Sequence, residues 1–278
     1  MFKDLVVPVT DTPGDEAAID VALELARGSQ ARVTVFEMIN LPMPSANPWG
    51  LMPDIAMGDV YSRLRAQGEV NAERRRQRLA DSGVECEVRL VEALFTEPPR
   101  QAARLAHHAD LLVVAGPVND GAEGSVAHAF AAALLLESGR PVLVVPPAAR
   151  APAPGGAVLL AWRTGAEAAR AMHDALPLLR AASRVDVVTV APGSAEEGDD
   201  ALAEVATHLA RHGVRADVVP IASRGRPVSQ VLLEHAREMP AGLLVAGGYG
   251  HSRLREWVMG GATRELMLTS PIPVLFSH

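Results

Sequence analysis

Two segments of this chain overlay without a gap, and that repetition limits the folds open to it. Residues 109–144 begin ADLLVVAGPVND and close on LLLESGRPVLV, while residues 241–276 begin AGLLVAGGYGHS and close on LMLTSPIPVLF. The offset is 132 residues at both ends, so the chain is an internal duplication. Its 278 residues divide into two domains of about 140 residues each, and each copy is long enough for its own core. We place the N-terminal domain at 1–147 and the C-terminal domain at 155–278. The segment Pro146–Gly156, rich in proline and alanine, is the linker between them.

Short valine-rich runs alternate with helical patterns in both copies, the signature of a parallel sheet covered on both faces. Strands are expected at Leu5–Val9, Arg32–Phe36, Val84–Leu90, Leu111–Val114 and Val142–Val145. They are expected again at Val158–Trp162, Val185–Val190, Ala216–Pro220, Leu243–Ala246 and Val274–Phe276. Right-handed crossovers then give two tandem Rossmann-like, doubly wound α/β domains, each with a five-stranded parallel sheet. The last strand of each copy lies at a sheet edge, and a duplicated unit can bury that edge against its twin. The two copies are therefore expected to pair within one chain around a pseudo-twofold axis. The residues from Leu41 to Met57 form a long insertion in the first copy, read as a surface loop or a contact for a protein partner.

A net charge of −7 excludes a general nucleic-acid binder, since affinity for phosphate backbones needs excess Lys and Arg. The run Arg74–Arg76 sits in a helical stretch with Glu69 and Glu73 and reads as a solvated face. Cys86 is the single cysteine, which rules out an internal disulfide and a thiolate-rich zinc site. No signal peptide and no membrane span is evident, so a cytoplasmic location is expected.

The first copy lacks glycines that the second has. Gly247, Gly250 and Gly260 form G-x2-G-x9-G, where the first copy carries Ala115, Val118 and His128. A strand that runs into glycines lets backbone N–H groups turn toward an anion, and the helix after Gly260 and Gly261 would aim its positive end at the same crevice. Thr263 in the first turn adds a hydroxyl. The alternative is that these glycines only make tight turns. His251 follows Gly250 directly and either lines the crevice or is exposed. His208 and His212 stand four apart on a helix with no third ligand evident in the sequence, so they read as an exposed helix face and no metal site is assigned.

With its element order, its duplication and the run GGYGHSRLREWVMGGATRELMLTSPIPVLF, the whole chain resembles the universal stress protein family in its tandem form. That resemblance implies a stress-response regulatory protein rather than an enzyme. It further implies that ATP or another adenine nucleotide, with Mg2+, binds the C-terminal copy. The phosphates would lie along Gly247, Gly250, His251, Ser252, Gly260, Gly261 and Thr263, and the adenine near Ala161 and Trp162. Two positions depart from the family pattern: Arg163 replaces an acid after the first strand, and Gly261 replaces Ser or Thr after the third glycine. The rival reading is a nucleotide-free scaffold of the same fold, with a homodimer possible in either case.

Overall fold

The computed structural model describes residues 1–42, 54–118, 121–191, 199–249 and 261–278. The first copy runs β1 (Asp4–Pro8), α1 (Asp15–Ser29), β2 (Arg32–Leu41), α2 (Asp54–Ala80), β3 (Cys86–Leu94), α3 (Pro98–Leu105), β4 (Leu111–Ala115), α4 (Ala122–Glu137) and β5 (Val142–Val145). The second runs β6 (Ala157–Ala161), α5 (Ala166–Asp174), α6 (Leu176–Ala181), β7 (Arg184–Ala191), α7 (Asp199–Arg211), β8 (Asp217–Ala222), α8 (Val228–Glu238), β9 (Ala241–Gly247), α9 (Ala262–Thr269) and β10 (Val274–Ser277). The insertion expected between Leu41 and Met57 falls largely outside the described residues.

All ten strands join one sheet in the order β3-β2-β1-β4-β5-β10-β9-β6-β7-β8. Within each copy the pairs are parallel, and the copies meet where β5 and β10 run antiparallel, with Val144 opposite Val274, Leu143 opposite Leu275 and Val142 opposite Phe276. The order is the same read inward from either edge, which is the expected pseudo-twofold pairing.

The valines and leucines of the inner strands are buried on both faces, each contributing about 1.5–3 kcal/mol by leaving water. Alternation sends Leu143 and Leu275 into one apolar layer with Leu5, Leu111, Val158 and Leu243. Val142, Val144, Val274 and Phe276 enter the other layer with Leu112 and Leu244. Both layers cross the seam. Gly248 reinforces it, since a Cβ there would stand 2.6 Å from Leu135 of the other copy.

Proline marks two local features. Pro177 lacks an N–H and cannot sit inside a helix, so the first helix of the second copy breaks into α5 and α6 where α1 is continuous. Pro220 lies on β8, an edge strand, where the missing donor is tolerated.

One charge assignment changes. Arg75 does not belong to a solvated face: its Nε donates at 2.7 Å to Glu37, whose side chain is 2% exposed, and Arg75 itself is only 16% exposed. A buried carboxylate on β2 needs a cation, and α2 supplies it. Arg76 matches the expectation, bridging Glu69 and Glu73 on the outside of α2.

Candidate functional site

Leu5 pairs with Leu111 in the first copy and Val158 with Leu243 in the second, so the first strands are related by 153 residues and the fourth strands by 132. Pro8 opposite Phe36 and Ala161 opposite Val188 continue the same correspondence. Residues at the carboxyl ends of the first, second and fourth strands therefore have defined counterparts, and the two edges can be compared residue by residue.

In the second copy the carboxyl ends of β6, β7 and β9, with the N-termini of α5 and α9, enclose a cleft of about 220 Å³. Ala161, Trp162, Gly247 and Thr263, all named from the sequence, line it together with Arg163, Glu167, Ala168, Val188 and Ala262. Gly261 is the residue before α9, whose N-terminus carries no side-chain cap among the described residues. Gly250, His251, Ser252 and Gly260 lie outside the described residues.

The entrance to α9 is tied down from β9. Tyr249, with φ of 54°, turns the chain after Gly248, and its N–H donates at 3.3 Å to Oγ1 of buried Thr263. With that oxygen used as an acceptor, the Thr263 hydroxyl keeps its proton to donate. Trp162 is held by its main chain, its N–H donating to Val188 at 2.8 Å and its carbonyl accepting from Thr189 Oγ1 at 3.0 Å. Its indole N–H is buried and has no hydrogen-bond partner among the described residues. A buried donor of this kind is costly to leave unmet.

Gly247 has a packing role that the sequence reading did not give it. A Cβ on it would lie 2.7 Å from the Ala168 nitrogen and 2.9 Å from the Glu167 Cβ, so glycine is what lets β9 approach the start of α5. In the first copy the corresponding glycine has changed sides. Gly14, the counterpart of Glu167, faces Ala115, the counterpart of Gly247, and a Cβ on Gly14 would meet the Ala115 Cβ at 3.0 Å. Each crossing needs one glycine, and alanine at 115 says nothing about phosphates.

The first copy carries bulk and a carboxylate at the matching positions. Val188 and Ala262, which open the cleft, correspond to Phe36 and Phe130, buried in one apolar layer. Ala168 corresponds to Asp15. The buried Asp15 carboxylate accepts from the Thr10 N–H at 3.0 Å, the Thr10 hydroxyl at 2.8 Å and the Thr12 N–H at 3.2 Å. Burial pushes this carboxyl up, against the lowering effect of the Thr10 hydrogen bonds. In the second copy the corresponding loop residues are Arg163 and Gly165, and alanine stands where the internal acid would be. The overlay of the two copies already sets Phe130 against Ala262, but a single aromatic in an apolar run gives no sign of filling a cleft.

The profile of the universal stress protein family matches residues 1–146 and again residues 157–278. No curated protein matches the chain. Among solved structures the chain is similar to a universal stress protein from Archaeoglobus fulgidus, at 15% identity over 98% of this chain and 94% of that one, with a TM-score of 0.74. It is also similar to a functionally unknown protein from Pseudomonas aeruginosa, at 14% identity over 99% of this chain and 92% of that one, with a TM-score of 0.55. At such identities the likeness is one of fold.

Proposed function

The chain belongs to the universal stress protein family, and from that premise we propose that it is a regulatory protein that binds an adenine nucleotide in the C-terminal copy alone. The observation that carries this reading is the side-chain exchange between the copies: Val188, Ala262 and Ala168 around the cleft, against Phe36, Phe130 and Asp15 in the other copy. The cleft's volume of about 220 Å³ falls short of the roughly 300–1,000 Å³ of sites that enclose a whole drug-sized ligand. It suits a base and part of a ribose between Ala161, Trp162 and Val188, with the phosphates left at the mouth.

At that mouth the N-terminus of α9 offers backbone N–H groups and the positive end of its dipole to an anion. The Thr263 hydroxyl is placed to donate, and Arg163 adds a guanidinium suited to a phosphate. This gives the departure from the family's acidic residue a role: charge pairing with the phosphate chain. Magnesium would enter with the phosphates. We assign no catalytic residue, and the reading is of ligand-dependent regulation in the cytoplasm rather than turnover. No helix among the described residues is long and apolar enough to cross a membrane.

Thermal denaturation of the nucleotide-stripped protein with Mg2+ and ATP, ADP, AMP or adenosine tests the proposal. A ligand that binds only the folded state raises stability by RT ln(1 + [L]/Kd), about 2.7 kcal/mol at a hundred times Kd. ATP should raise the transition more than adenosine does. If no nucleotide moves it at millimolar concentration, the chain is a nucleotide-free scaffold.

A further inference from the structure

We propose that His173, His208 and His212 form a binding site for a divalent transition-metal ion of the zinc class (Zn2+, Co2+, Ni2+ or Cu2+) that staples α5 to α7. The sequence shows only His208 and His212, which share a face of α7 at a spacing of four. The fold brings in the third ligand from the last turn of α5. One ring nitrogen from each residue lies within 4.8 Å of the other two, and the ring centroids are 4.6 to 5.9 Å apart. Zinc with Zn–N bonds of about 2.0–2.1 Å in a tetrahedral site would hold its nitrogens about 3.4 Å apart, within reach of small side-chain rotations.

Several observations at the cluster point to an ion. The Nε2 atom of His208 is buried and has no hydrogen-bond partner among the described residues, a costly state unless something binds it. The face is not the exposed one that the spacing alone suggested, since His208 and His212 are both partly buried. The last turn of α7 lies at the cluster, so the negative end of its helix dipole is near the incoming cation.

Three imidazoles without a carboxylate or thiolate suit the zinc class and not calcium or magnesium, and they leave a fourth position for water. The opposing charge is Arg180. Its Nη2 lies 3.4 Å from His212 Nδ1, a weak contact that binding would displace, while its Nε keeps the His212 carbonyl at 2.8 Å.

The site is independent of the nucleotide cleft, although Glu167 and Ala168 at the other end of α5 line that cleft. The test is a titration of the metal-stripped full chain with Co2+, followed by displacement with Zn2+. One ion per chain is expected, with visible d–d absorption and a raised thermal transition. His173→Gln and His208→Gln should each weaken binding more than about tenfold, while the paired change His107→Gln and His108→Gln should leave it unaltered. His173 is exposed, so its variant keeps the fold and circular dichroism will verify it. Absence of the cobalt spectrum, or equal affinity in the His173 and His208 variants, overturns the proposal.

Discussion

Ala262 stands where Phe130 fills the first copy, and one substitution should carry the fill across. Ala262→Phe and Val188→Phe each place an aromatic ring in the cleft, at positions where the fold already accepts one in its other copy. Both should remain folded and lose the nucleotide-dependent rise in thermal stability. Gly247→Ala makes a different prediction. Its Cβ would meet the backbone of α5 at 2.7 Å, and relieving such an overlap shifts backbone at a cost of about 1–3 kcal/mol. Urea denaturation without any ligand should show that loss. Unchanged stability would return Gly247 to the role of a glycine needed only by the phosphates. The glycine triplet was visible in the sequence, and its first member, Gly247, lines the cleft of the second copy. It did not reveal that Gly247 serves a helix crossing, because the reciprocal glycine, Gly14, lies about a hundred residues from its partner Ala115 in the chain.

At the scale of elements, the strands were legible because a sheet buried on both faces demands continuous runs of valine and leucine. The ties between elements were not, because they join residues distant in sequence. Asp186 on β7 is fully buried, held at 2.8 Å by both Arg184 nitrogens and at 2.8 Å by His235 of α8. Burial alone would push this carboxyl up, but the hydrogen bonds from Arg184 and His235 outweigh it and hold the group below the usual carboxylate range. A depressed carboxylate stabilises the fold above its unfolded pKa of about 3.9 and loses that contribution as pH falls through its lower folded value. The protein should therefore lose stability on acidification below about pH 4. Asp186→Asn should be less stable at neutral pH and show a shallower loss in acid. A parallel pH profile in the two proteins would show that this ion pair contributes nothing. Arg75 and Glu37 teach the same lesson, since the arginine run read as surface charge until β2 presented a buried acid to its middle member.

For the whole molecule, the duplication foretold the pairing of edges, and the structure joins the copies by antiparallel β5 and β10 with apolar layers continuous across the seam on both faces. Two domains that share a sheet and both cores should unfold together. One thermal transition, coincident by near- and far-ultraviolet circular dichroism, is expected. Two resolved transitions would mean that the seam is weak. Leu275→Pro, which removes a ladder donor from a central strand, should disrupt both copies at once. The asymmetry within this symmetric frame is the central claim, since Phe36, Phe130 and Asp15 are buried at one carboxyl edge where Val188, Ala262 and Ala168 line the cleft of its twin. Titration calorimetry with MgATP, run on the unaltered chain and on Ala262→Phe, tests it most directly. The account predicts one site per chain in the first and none in the second. Two sites per chain, or full binding retained by Ala262→Phe, would contradict it.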